Sequence, residues 1–122
     1  MGNRILIIDD DISTANLLAE SLADIGFQAE AVGAGVEALV KLRAMKYSII
    51  IVDYHLPDTN GVVLATEALS INPSIQVIFL TGHRFDLQSL PWKKLNQPMV
   101  IEKPARLSEI NEAVLLISKR GI

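Results

Sequence analysis

Ile49-Ile50-Ile51-Val52-Asp53-Tyr54-His55-Leu56-Pro57-Asp58-Thr59-Asn60-Gly61 is the stretch whose reading decides the fold. Four β-branched apolar residues in succession predict a strand buried on both faces, because only a sheet covered on each side removes the need for a polar face. Asp53 follows at once, ahead of a loop punctuated by Pro57, Asn60 and Gly61. A carboxylate where a buried strand ends lies in the crevice in which open α/β sheets hold their ligands.

Working outward, Arg4 to Ile8 is a short apolar run stopped by Asp9-Asp10-Asp11, and it reads as the first strand. Leu18, Leu22 and Ile25, with Ala15 and Leu17 beside them, recur at helical spacing before Gly26, which predicts a helix over about residues 13–25. Phe27 to Val32 alternates as a half-covered edge strand does, Gly33 and Gly35 mark a turn, and Val36 to Lys46 returns to helical period. Gly61 to Ser70 is helical up to the turn signal Asn72-Pro73, and Ile75 to Leu80 is the next strand. Between Phe85 and Gln97 the pattern weakens. Pro91 would remove a hydrogen bond from a helix interior and clash with the preceding turn, so a short, broken or displaced fourth helix is expected there. Met99 to Ile101 is the last strand, Lys103-Pro104 ends it, and Leu107, Ile110, Val114 and Ile117 form one face of a terminal helix. Alternating strands and helices of this length require right-handed crossovers. The expectation is an α/β domain: a five-stranded parallel sheet doubly wound with five helices.

Composition bounds the function. A chain of 122 residues is one domain, residues 1–122, with room for a single core. Its apolar runs fall far short of the roughly 20 residues needed to cross a bilayer. Met1-Gly2-Asn3-Arg4 leads straight into the first strand, so no signal peptide can be drawn. Zero cysteines exclude disulfides and thiolate metal sites, and these features point to the cytoplasm. A net charge of −3, with basic residues scattered apart from Lys93-Lys94 and Lys119-Arg120, argues against direct binding of nucleic acid.

The chemistry gathers at strand ends: Asp9 and Asp10 after the first, Asp53 after the third, Thr81 after the fourth and Lys103 after the fifth. A parallel sheet sets all its carboxyl ends along one edge, where residues distant in sequence converge. Carboxylates packed together repel by roughly 4 kcal/mol per pair at 4 Å and intermediate dielectric. A cation is therefore required. An all-oxygen site suits Mg²⁺, and Lys103 supplies the remaining positive charge. With both present, an ionised aspartate can act as a nucleophile towards phosphorus, since phosphoryl transfer depends mainly on positioning and charge neutralisation.

These residues resemble the receiver domain of two-component response regulators. The matching features are Asp9-Asp10 after an apolar strand, Asp53 followed by Leu56-Pro57 and Gly61, Thr81 in Leu80-Thr81-Gly82, and Lys103-Pro104. The resemblance covers essentially the whole chain and implies the flavodoxin-like strand order 2-1-3-4-5. It further implies that Asp53 accepts a phosphoryl group from the phosphohistidine of a sensor kinase or phosphotransfer protein. Asp9, Asp10, Asp53 and the backbone carbonyl of His55 would hold Mg²⁺, and Thr81 and Lys103 would bind phosphoryl oxygens, with Pro104 supporting the loop. Inward movement of Thr81 would reshape the surface near the fourth helix that partners read. The only catalysis implied is self-phosphorylation and self-dephosphorylation, tuned by His55 and His83. A fused output or kinase domain in a longer parent chain, and a homodimer through the face between the fourth and fifth helices, are further expectations.

Two departures concern the output. The family usually carries Tyr or Phe three residues before the lysine, where this chain has Val100, and Asn96-Gln97-Pro98 replaces a pair of small residues. A chemically silent interaction module is therefore the main alternative. Asp9-x-Asp11-x-Ser13 loosely fits the nucleophile motif of haloacid-dehalogenase-type phosphatases, which normally need a longer chain. Asp11 reads better as a helix cap. Gly33-Ala34-Gly35-Val36-Glu37-Ala38 fits a dinucleotide fingerprint but follows the second strand instead of the first.

Overall fold

The computed structural model describes residues 3–82 and 93–121. Five strands and four α-helices alternate along them: β1 Arg4–Ile8, α1 Ile12–Asp24, β2 Gln28–Val32, α2 Gly35–Ala44, β3 Ile49–Asp53, α3 Gly61–Ile71, β4 Gln76–Thr81, β5 Met99–Glu102 and α4 Leu107–Ser118, closed by a 3-10 turn at Lys119–Gly121. All strand pairs are parallel, in the order β2-β1-β3-β4-β5. The five-helix expectation is thus corrected to four α-helices among the described residues. The terminal helix of the sequence reading is α4, and the irregular element expected between Phe85 and Gln97 falls largely on residues 83–92, outside the described ones.

The central strand behaves as its composition requires. Every residue of β3 is buried, and its side chains alternate between two cores. Leu6, Ile8, Ile50, Val52, Val77 and Phe79 face α2 and α3, whereas Ile5, Ile7, Ile49, Ile51 and Ile78 face α1 and α4. β2 is an edge strand with half-buried residues, as its alternation predicts.

Helix faces follow the periodicity only in part, and Ile25 after α1 and Val36 and Val40 of α2 are exposed although they fit it. α1 buries Ala15, Leu18 and Leu22 but leaves Leu17 exposed, and α4 buries Ile110, Ala113, Val114 and Ile117 but leaves Leu107 exposed. Asp11 caps α1 as expected, its carboxylate accepting from the Thr14 N–H and hydroxyl at 3.3 and 2.7 Å. These bonds hold the Asp11 carboxyl below its usual pKa. Asn60 caps α3 in the same way, accepting from the Val63 N–H at 2.9 Å.

Asn96 and Gln97, which stand where a small-residue pair is usual, both adopt left-handed backbone, with φ of 62° and 52°. Asn tolerates that region better than most residues. The turn is fastened on two sides. Asn96 Nδ2 donates to the Ile75 carbonyl at 3.0 Å, and Arg120 donates to the Gln97 carbonyl at 2.8 Å.

Candidate functional site: an acidic cluster at the carboxyl edge of the sheet

Three adjacent strands build the site. β1 runs into Asp9, β3 ends on Asp53 and β4 ends on Thr81, and the register pairs Ile8 with Val52 and Asp53 with Leu80. Asp9, Asp10 and Asp53 each present an oxygen within 4.8 Å of the others. Asp9 and Asp53 are buried, and Asp10 is exposed at the mouth.

Lys103 reaches across from the end of β5. Its Nζ lies 2.9 Å from Asp53 Oδ2 and 3.2 Å from Asp9 Oδ2. Burial opposes the charge of Lys103, but its hydrogen bond to Asp53 and the charges of both aspartates outweigh that effect and raise its pKa. The second oxygens are held by backbone: Asp11 N–H donates to Asp9 Oδ1 at 3.0 Å, and His55 N–H donates to Asp53 Oδ1 at 3.2 Å. Lys103 is itself positioned by β4, its N–H donating to the Thr81 carbonyl at 2.7 Å. Thr81 is buried beside this junction, and the Lys103-Pro104 peptide is cis.

Three carboxylates against one ammonium leave two negative charges in a partly desolvated pocket. That surplus, and a donor set made only of oxygen, fits a hard divalent cation.

The structure therefore brings together Asp9, Asp10, Asp53 and Lys103, with Thr81 at the neighbouring strand end and His55 in the adjoining loop. His83 lies outside the described residues. Val100 pairs with Phe79 across β4 and β5 and packs against the core on the face shared by Thr81, two residues further along β4. No aromatic ring stands at that position.

Asp58 is a residue that the sequence reading passed over. Its two carboxylate oxygens accept from the Gly35 and Val36 N–H groups, each at 2.9 Å, closing the start of α2 from the loop that follows Asp53. These two bonds hold the Asp58 carboxyl below its usual pKa. A Cβ on Gly35 would come within 2.6 Å of Thr59 Cγ2. Gly35 thus admits this loop, and the helix start that a dinucleotide phosphate would need is already occupied by Asp58. The signal available in the sequence was an acid placed just after Pro57, opposite a glycine-opened helix.

A groove of about 360 Å³ opens next to Lys103 between α1 and α4, floored by Ile7, Leu18, Leu80 and Ile110. Among the described residues no helix is long and apolar enough to cross a membrane.

Comparison with known proteins gives a consistent set of likenesses. The family model for the response regulator receiver domain matches residues 5–115. The DNA-binding response regulator MtrA of Mycolicibacterium paratuberculosis is 32% identical over 82 residues, 67% of this chain and 36% of that protein. The transcriptional regulatory protein RprY of Bacteroides fragilis is 30% identical over 117 residues, 96% of this chain and 50% of that protein. A CheY-like receiver domain from Methanospirillum hungatei superposes with a TM-score of 0.90 at 24% identity, covering 99% of this chain and 97% of that one. The chain spans between about a third and a half of the length of the curated relatives named here.

Proposed function

The chain belongs to the receiver-domain family of two-component response regulators, and on that premise we propose that Asp53 is its phosphoacceptor. The observation that carries this reading is the convergence of Asp53, Asp9 and Lys103, with the ammonium within 3.2 Å of both carboxylates. An oxygen of Asp53 attacks phosphorus, the P–N bond of a donor phosphohistidine breaks, and the departing imidazole keeps the bonding pair and takes up a proton. Lys103 neutralises charge on the transferred group, and Thr81 binds another of its oxygens. The His55 N–H orients the acceptor carboxylate through Oδ1. Asp9, Asp10 and Asp53, with the His55 carbonyl, would hold Mg²⁺, which supplies electrostatic stabilisation of the phosphoryl oxygens.

Turnover is confined to the protein's own acyl phosphate, so the domain is a switch and not an enzyme acting on a separate substrate. Its phosphoryl donor is a sensor histidine kinase or phosphotransfer protein in the cytoplasm, and a longer parent chain would carry an output or kinase domain. The groove between α1 and α4 supports docking of such a donor beside Lys103. A second reading, an interaction module without phosphoryl chemistry, draws on Val100, because a valine cannot swing as a ring does to report the position of Thr81.

Intact-mass measurement after incubation with Mg²⁺ and acetyl phosphate separates the two. A single phosphoryl adduct that disappears in Asp53→Asn is expected; an unmodified natural chain would leave the silent module standing.

A further inference from the structure

The amino edge of the sheet, opposite Asp53, collects cations that are scattered in the sequence. Arg43 and Lys46 flank the end of α2, Lys93 and Lys94 precede β5, and Lys119 and Arg120 form the closing turn. All six are exposed, and among the described residues none has a carboxylate partner. Among the described residues Arg120 bonds only neutral acceptors, the Gln76 side chain and the Gln97 carbonyl.

The loop between α3 and β4 borders both grooves that these cations line. Asn72 and Ile75 of that loop border a groove of about 410 Å³ with Arg43 and Lys46 at its rim. Pro73 borders a second groove, of about 250 Å³, with Lys93 and Lys94. Gln76, the first residue of β4, holds Arg120.

Helix ends do not explain this distribution. Carbonyl dipoles at helix C-termini attract cations, and all the helices of a parallel α/β domain end at this edge. Yet α1 and α3 carry no basic residue in their last turns. Arg43, Lys46, Lys93 and Lys94 instead border two grooves.

Half-buried Met45 and exposed Ile71 give the larger groove its accessible apolar surface, with Leu42 and Ile75 buried beneath, and the nearby Asn72 amide is already bonded to the Tyr47 carbonyl at 2.9 Å. An occupant therefore needs an apolar anchor for the floor and negative charge for the rim. Nucleic acid fits poorly, because Tyr47, the aromatic residue lining this groove, is only 1% exposed and offers no stacking surface.

We propose that this edge docks an acidic peptide segment of another protein, carrying a hydrophobic anchor. The apolar side chain enters the groove between α2 and the loop before β4, and its flanking carboxylates meet Arg43, Lys46, Lys93 and Lys94. Binding here is independent of the phosphoryl chemistry at the other edge.

The test uses fluorescence anisotropy with a labelled peptide in which Asp and Glu flank a Leu-Phe pair. Micromolar binding is expected, weakened about tenfold or more by Arg43→Glu with Lys46→Glu, by Lys93→Glu with Lys94→Glu, and by raising salt several-fold. Peptides with amides in place of the acids, or Ser in place of Leu-Phe, should bind at least about tenfold more weakly. The charge-reversed chains must keep the natural urea midpoint and phosphoryl adduct; if they do not, the Lys→Gln and Arg→Gln versions take their place. Absence of binding, or binding indifferent to these substitutions, overturns the proposal. So does tighter binding of a DNA duplex, or self-association of the natural chain that the same substitutions abolish.

Discussion

Replacing Gly61 by alanine tests how rigidly the fold holds Asp53. Gly61 opens α3, and its N–H donates to the Tyr54 carbonyl at 2.7 Å. An added Cβ would stand 2.8 Å from the Asp53 carbonyl oxygen, 3.1 Å from Tyr54 Cα and 3.3 Å from a Phe79 ring carbon. None of these can yield freely. Asp53 is locked in register with Leu80, Tyr54 N–H bonds the Leu80 carbonyl, and Phe79 is fully buried. Overpacking of this kind costs about 1–3 kcal/mol. Alanine returns up to about 1 kcal/mol through helix propensity and a less disordered unfolded chain. The 2.8 Å contact is with backbone, so the cost lies in the upper part of that range, and a net loss of roughly 1–3 kcal/mol remains, about 4–12 °C in Tm for a domain of this size. Because the displaced backbone is that of Asp53 itself, adduct formation should slow by about tenfold. Gly82 is the control: among the described residues nothing lies within 4 Å of its added Cβ and its φ is not left-handed, so Gly82→Ala should leave stability unchanged or slightly raised. Urea titration and a time course of intact mass measure both effects. Natural stability together with a natural adduct rate in Gly61→Ala would refute the argument that this contact fixes the acceptor.

Further expectations follow from other contacts. Lys103→Gln removes the ammonium shared by Asp9 and Asp53, so Mg²⁺ should bind roughly tenfold more tightly by calorimetric titration while adduct formation falls; weaker Mg²⁺ binding would contradict the charge assignment. Burial and the hydrogen bond to Glu30 push the Tyr47 hydroxyl up to about 12, above its unfolded value near 10. The folded state then keeps a proton that the unfolded chain has lost, so stability should be intact below pH 10 and decline as pH rises towards about 12. Tyr47→Phe should abolish that decline in urea midpoints measured across the range. Asp58→Ala uncaps the Gly35 and Val36 N–H groups, and amide exchange at those two positions should quicken while the core of β3 stays protected.

Much of this architecture was legible because the strands advertise themselves. Ile49 to Val52 can be buried on both sides only in a covered sheet, and the carboxylates fall at strand ends. The placement of Asp9, Asp53 and Lys103 at one edge then follows from parallel topology. What escaped were contacts between loops. Nothing in the pattern around Asp58 says that its carboxylate closes α2, because that depends on how two non-adjacent segments meet. Leu17 and Leu107 fit the helical period yet face outward, since a period does not tell how wide the buried stripe is. The basic residues looked dispersed because the chain returns to the amino edge of the sheet after each crossover, depositing a cation or two on several visits.

The site has no existence apart from the sheet. Its acids come from β1 and β3 and its hydroxyl from β4, three strands that lie side by side but are separated along the chain by the whole of α1, β2 and α2 on one side and α3 on the other. No local fragment could assemble the pocket, because each long loop must close before the neighbouring strand ends come into contact. The proposed competence to accept phosphate therefore arrives with the last central pairing. A nascent or partly melted chain stays mute to its donor, and a signal can be received only by a molecule whose fold is finished.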